Sequence, residues 1–334
     1  MPKSYYLFNP MRMSRKDNTL QVSFLDETGD TTGHKYIPVE DVSTLYAFGS
    51  LDVNSAVLNF LAKHQVCVHF FDYYEHYTGS FMPKEYLLAG KMQVAQTRHY
   101  LRKAKRLEIA RKFVEGGAYN MRNNLRYYQN RGRENGALIA DVERYAAQLA
   151  ATTAIDELMG LEGNIRQTYY EGFGGIIRDF EMGNRSKQPP SNEVNALVSF
   201  GNMLCYTACL DAIHHTQLNP TISFLHEPGF RRYSLALDIS EIFKPLLVDR
   251  LVFSMLNNRQ LQENDFDTQL NGCVLKEKGR RAFVKAWDEK LKETIKHRSL
   301  NKSVSYKHLI KLECYKLVKH LMGMDEYKPF KMWW

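Results

Sequence analysis

Four side chains able to hold a cation stand between residues 162 and 241 of this 334-residue chain. Glu162 lies in Leu161-Glu162-Gly163-Asn164-Ile165-Arg166, with an arginine one helical turn further on. His226 lies in Leu225-His226-Glu227-Pro228-Gly229, where proline and glycine mark a loop. Asp238 and Glu241 follow in Leu235-Ala236-Leu237-Asp238-Ile239-Ser240-Glu241. A spacing of three puts these last two on one helical face, about 60° apart, so that they can address one point. Their neighbours, including Ile242, Phe243, Leu246 and Leu247, are apolar nearly all round. A helix of that kind is mostly buried, and buried carboxylates need a partner or a cation. A divalent ion would satisfy both.

The chemistry such a group suits is phosphodiester cleavage or transfer. That reaction needs a Lewis acid against the charge building on the phosphoryl oxygens, and help in deprotonating water or a 3′-hydroxyl. Carboxylates with an imidazole suit Mn²⁺ or Mg²⁺, the imidazole leaning towards Mn²⁺. Each residue also has a plainer reading. His226 could be a hydrogen-bonded loop histidine, Glu162 the i+4 partner of Arg166, and Asp238 a cap or a brace paired with Lys244 or Arg250. Composition and spacing alone leave these open.

The elements that would position these residues change character along the chain. Up to residue 82, short β-branched and aromatic runs alternate with turn signals, predicting strands over 5–8, 20–24, 35–38, 44–48, 66–71 and 76–81. A helix over 54–63, capped by Asn54, interrupts them. After Pro83 the apolar spacing becomes helical. The first long helix is expected to break at Gly116-Gly117. A second runs over 137–170, and residues 183–190 form a loop. Asn192 caps a helix ending near His215, another covers 233–256, and a basic helix begins near Gly279. The fold class is therefore α+β, with a small N-terminal β domain (1–82) followed by a larger all-α domain (83–334) carrying the candidate site and a basic C-terminal region.

Composition, 44% apolar and 25% charged, is that of a globular protein. No run approaches eighteen apolar residues, so no membrane span is expected, and the first residues do not read as a signal peptide. Five cysteines are an odd, scattered set. Cys205 and Cys209 share a helix face rather than a chelating turn, which fits reduced thiols, no structural zinc and a cytoplasmic location. The net charge of +8 is uneven: residues 276–334 hold sixteen Lys or Arg against seven Asp or Glu. A second basic run is Arg102-Lys103-Ala104-Lys105-Arg106, continuing to Arg111-Lys112. With twenty tyrosines, these clusters favour a nucleic-acid partner.

The same segments, in order, resemble a known family. They are Tyr36-Ile37-Pro38-Val39-Glu40-Asp41-Val42, Phe48-Gly49-Ser50-Leu51-Asp52-Val53-Asn54, His69-Phe70-Phe71-Asp72 and Gly79-Ser80-Phe81. Further on come Leu161-Glu162-Gly163, residues 192–204, Leu225-His226-Glu227-Pro228-Gly229, Ser234-Leu235-Ala236-Leu237-Asp238, Glu241-Ile242-Phe243-Lys244-Pro245 and Val248-Asp249-Arg250. Over essentially its whole length the chain resembles the CRISPR adaptation integrase, the endonuclease subunit that inserts new spacers into a CRISPR array. The resemblance implies a homodimer that works with a small ferredoxin-like adaptation partner on double-stranded DNA, both captured fragment and CRISPR repeat. It implies a Mn²⁺ or Mg²⁺ site formed by Glu162, His226 and Glu241, with Asp238 supporting it. The last ligand is aspartate in some relatives, and Lys244 stands where arginine is common, but lysine lacks the bidentate fork with which arginine holds a phosphate. The implied reaction is transesterification by a DNA 3′-hydroxyl, with hydrolysis when water replaces it. Arg166 and Arg232 are candidate phosphate contacts. Two competing readings are a metal-dependent nuclease that only hydrolyses, and a non-catalytic DNA-binding scaffold.

Overall fold

Strands with one buried face open the chain. In the computed structural model, which describes residues 2–333 apart from 73, 75, 85, 86, 88, 187, 188, 230–232, 270, 271, 298 and 299, two units are distinguished, Met1–Leu88 and Ala89–Trp334. The first holds β1 (Lys3–Leu7), β2 (Met11–Lys16), β3 (Thr19–Leu25), β4 (Thr31–Pro38), β5 (Val42–Ala47), β6 (Leu51–Val53), α1 (Ser55–Lys63), β7 (Cys67–Phe71) and β8 (Tyr77–Phe81). They form two four-stranded sheets, ordered β1-β5-β7-β8 and β4-β3-β2-β6. Leu20, Leu45, Val57, Leu61 and Val68 are buried in one core. Asn54 caps α1 as its sequence predicts, accepting from Val57 N at 3.0 Å.

Two strands escaped the sequence reading. β2 alternates for only three residues before Arg15 and Lys16, and methionine is a weak strand signal. Burial of Met11 and Met13 and antiparallel pairing with β3 supply what propensity lacks. β6 is three residues long and pairs parallel with β2.

The second unit is mostly helical: α2 (Gly90–Leu101), α3 (Lys103–Gln129), α4 (Gly136–Gln148), α5 (Ile155–Glu171), α6 (Phe173–Ile176), α7 (Glu193–His214), α8 (Ser234–Lys244), α9 (Arg250–Asn257), α10 (Glu277–Lys292) and α11 (Tyr306–Leu321). The fold class is thus α+β, a β region followed by a mostly helical one. Within the helical part lie two short hairpins absent from the sequence reading, β9 (Phe266–Gln269) with β10 (Gly272–Leu275), and β11 (Thr294–His297) with β12 (Lys302–Ser305). Helix α7, capped by Asn192, is long and apolar enough to cross a membrane by length and composition, yet 78% of that window is buried inside the protein. It is the central core helix of this unit.

Three helical expectations need correction. Gly116-Gly117 does not break α3, which runs through both. The glycines instead let a neighbour approach: a Cβ at 116 would sit 2.8 Å from Pro329 Cβ, and one at 117 would sit 3.1 Å from Glu241 O. The break falls earlier, at Arg102, whose backbone is extended. The stretch 137–170 is two helices, because Arg111 holds both the hydroxyl and the carbonyl of Thr152 while Glu157 caps Thr153 N. The stretch 233–256 is interrupted by a π-helical segment, Pro245–Asp249. Pro245 has no N–H for the Glu241 carbonyl, and the backbone widens there.

Candidate active site

α8 is anchored at its start by the preceding loop. Leu235 N donates to Pro220 O at 3.0 Å, and Ser234 Oγ donates to Thr221 O at 2.9 Å. That fixes which way the one-turn-apart carboxylates point. Asp238, wholly buried, turns back to the loop. Its Oδ2 accepts from Phe224 N (2.7 Å) and Leu225 N (2.9 Å), and its Oδ1 from His226 N (3.0 Å) and His226 Nδ1 (2.8 Å). Four N–H donors converging on one carboxyl group are the environment of an ionised acceptor. The proton of a neutral His226 is therefore on Nδ1, leaving the Nε2 lone pair as the ring's coordinating atom. Asp238 pairs with neither Lys244 nor Arg250; its capacity is used on the loop and the imidazole.

Glu241 faces the other way, towards α5. Arg166, one turn after Glu162, donates through Nη2 to Glu162 Oε1 at 2.5 Å and through the same nitrogen to Glu241 Oε2. Its Nε also reaches Glu162 Oε1 at 2.7 Å. Lys244 Nζ closes on Glu241 Oε1 at 2.6 Å. Two carboxylates from different helices thus meet on a single positive charge. Burial alone would raise the Glu241 pKa, but Arg166, Lys244 and His226 outweigh it and bring it down to about 2. Burial likewise works against the His226 imidazolium, but the Asp238 hydrogen bond and the charges of Asp238 and Glu241 raise its pKa above the ordinary histidine range.

The loop is also held from outside. Gln96, buried on α2, donates to Asn219 O and Ile222 O and accepts from Asn219 N. Arg106 donates to Phe224 O at 2.9 Å and to Glu227 at 2.7 Å, and Tyr100 OH reaches Glu227 at 3.0 Å. Arg106 thus leaves the basic run to brace the histidine loop. Sequence reading missed this role because its partners lie over a hundred residues away. Arg232 lies outside the described residues. All five cysteines are buried and none is in a disulfide.

Three of these side chains have the donor types of a hard divalent cation site. Glu162 and Glu241 offer carboxylate oxygens that already converge on one cation, and His226 offers a nitrogen whose orientation a buried aspartate sets. An imidazole held from behind by a carboxylate is the usual support of a metal-ligating histidine. Oxygen-rich donors with one imidazole suit Mn²⁺ or Mg²⁺. The residues fit.

A family model described as CRISPR associated protein Cas1 matches residues 5–289. A CRISPR-associated endonuclease from Moorella thermoacetica is 47% identical over 332 residues, covering 99% of this chain and 100% of that protein. Among solved structures, a CAS1 protein from Thermotoga maritima superposes with a TM-score of 0.86 at 38% identity, over 98% of this chain and 99% of that one. A casposase bound to integration product has a TM-score of 0.87 over 98% and 93% of the two chains, at 23% identity, which establishes likeness of fold.

Proposed function

Because this chain belongs to the Cas1 family of CRISPR-associated endonucleases, we propose that it is a metal-dependent DNA integrase whose ion is held by Glu162, His226 and Glu241. The observation that carries this reading is the convergence of Glu162 and Glu241 on one cationic nitrogen, with the Glu241 charge also acting on an imidazole that Asp238 orients. A bound Mn²⁺ or Mg²⁺ would supply Lewis acidity towards the phosphoryl oxygens and lower the pKa of the attacking hydroxyl. The side chains do the rest. Glu162 and Glu241 bring negative charge from two rigid helices, and Asp238 keeps the His226 ring turned and its Nδ1 protonated. Arg166 and Lys244 balance the carboxylates.

In the reaction, the 3′-hydroxyl of a captured fragment attacks a phosphodiester of the repeat. One P–O3′ bond forms and one breaks, and the proton lost by the incoming hydroxyl is regained by the released 3′ oxygen. The exchange conserves the phosphodiester count and needs no ATP. Water in place of the hydroxyl gives a nick. The basic C-terminal region, exposed along α10 at Lys278 and Arg281, would hold the DNA backbone without reading sequence. The work on two DNA partners, the homodimer and the small ferredoxin-like adaptation partner follow from the family resemblance, and five buried cysteines outside any disulfide fit a reduced, cytoplasmic compartment.

A supercoiled plasmid carrying a repeat, incubated with a duplex ending in a 3′-hydroxyl and Mn²⁺, tests the reaction. A joined, relaxed species is expected, and it should vanish in His226→Ala. Nicked plasmid without joining would favour a hydrolytic nuclease. Joining that persists at full rate in His226→Ala would remove the proposed centre.

A further inference from the structure

The last residues of the chain belong to a strongly basic region, yet residues 327–332 run inside the helical unit. Tyr327, Phe330 and Met332 are buried. Tyr327 OH and Phe330 N both donate to Glu313 Oε1 on α11, at 2.6 and 3.1 Å. Lys331 pairs with Glu115 on α3 at 2.5 Å. Phe330 stacks on Phe243 of α8, with ring centroids 6.0 Å apart and 12° between planes. Pro329 packs where a Cβ on Gly116 would be, beside Ile242.

One residue ties this strap to the helix bearing the carboxylates. Asn120, fully buried on α3, donates from Nδ2 to Ile242 O at 3.0 Å and to Phe330 O at 3.2 Å, and accepts from Met332 N at 2.9 Å. Ile242 directly follows Glu241. One turn further along α3, Asn124 donates to Pro245 O at 2.7 Å and to Tyr169 OH at 2.9 Å. The two asparagines therefore take up backbone carbonyls on either side of the point where Pro245 interrupts α8. A helix that loses a main-chain donor next to a functional carboxylate needs outside partners to hold its register.

We propose that residues 327–332 are a positioning element of the active site, acting through Asn120 to fix the end of α8 and with it the Glu241 carboxylate. The inference rests on the reading of Glu241 as a metal ligand. It assigns the end of the basic region to the geometry of the centre rather than to DNA.

Two full-length variants test it. Asn120→Asp keeps an oxygen for Met332 N but removes both donations and sets a carboxylate against two carbonyls. Phe330→Leu keeps apolar volume and removes the stacked ring, and serves where the first variant does not fold. Amide hydrogen exchange over residues 234–244 of the metal-free protein should accelerate, while β3 exchanges as in the wild type. Mn²⁺ affinity by calorimetry should weaken, and kcat for strand joining should fall, each roughly tenfold, with KM for DNA unchanged. A folded variant with wild-type exchange over 234–244 and wild-type Mn²⁺ affinity overturns the proposal. So does a rise in KM for DNA alone, which would make the strap a DNA contact. If Glu241→Gln leaves Mn²⁺ binding intact, the ligand reading fails, and the exchange measurement still judges whether the strap holds α8.

Discussion

One oxygen of Asp238 accepts both the backbone N–H and the ring Nδ1–H of His226, at 3.0 and 2.8 Å. The carboxylate therefore fixes both where the histidine sits and how its ring is turned. Asp238→Asn replaces one acceptor oxygen with an NH₂ group that must face N–H donors from the loop. Loss of such outer support of a ligating histidine costs roughly 10–100-fold in metal affinity or activity. Calorimetric titration with Mn²⁺ should show that loss with the protein still folded, and an unchanged affinity would deny Asp238 its orienting part.

Arg166 makes a second test. It joins Glu162 to Glu241, and its removal leaves two carboxylates facing each other with Lys244 as the nearest balance. Breaking a buried ion pair from one side costs about 3–5 kcal/mol, and the partial exposure of this cluster brings the expectation for Arg166→Met to roughly 2–3 kcal/mol. Mn²⁺ should then stabilise the variant more than the wild type, because the ion restores charge that the arginine supplied. Thermal unfolding with and without Mn²⁺ reads both effects, and an equal metal-induced shift in the two proteins would contradict the shared site.

Asp249, buried in the π-helical segment, gives a pH dependence. Burial raises its pKa from 3.8 to about 7, against the lowering influence of Arg166 and of the Tyr169 hydroxyl. The folded state thus holds this proton more tightly than the unfolded state. Its contribution is fully present below pH 3.8 and is lost as pH rises towards 7. A change on the order of a few kcal/mol is at stake over that window. Asp249→Asn, which cannot ionise, should flatten the stability profile between pH 5 and 7 in urea unfolding. A variant with the same slope as the wild type would place the titrating group elsewhere.

Local signals are legible in the sequence. Asn54 and Asn192 cap the helices they precede, and the apolar surroundings of Asp238 and Glu241 announce a buried helix carrying two carboxylates. The Glu162–Arg166 pairing is legible as an i+4 contact. Its extension to Glu241 is not, because only folding brings residues 75 positions apart together. Asp238 shows the same limit: spacing put it on the face of Glu241, but hydrogen bonds to a loop twelve or more residues back turned it away. Gly116-Gly117 failed for the opposite reason. Glycine signals a helix break locally, whereas here tertiary packing uses the missing side chains and carries the helix through.

That last difference separates two glycine substitutions. Gly160, inside α5, has nothing within 4 Å of a built Cβ, so Gly160→Ala should gain helix propensity freely, by up to about 1 kcal/mol. Gly117→Ala has the same intrinsic gain, but its Cβ would meet Glu241 O at 3.1 Å, closer than ordinary contact. Either α3 or α8 must then give by a few tenths of an ångström, at the residue proposed to hold the ion. Gly117→Ala should therefore show little net stabilisation and a reduced strand-joining rate, while Gly160→Ala melts higher with full activity. Melting curves and joining rates for the two proteins side by side decide this. Full activity in Gly117→Ala would mean that the site tolerates displacement of the Glu241 backbone despite the close α3–α8 contact.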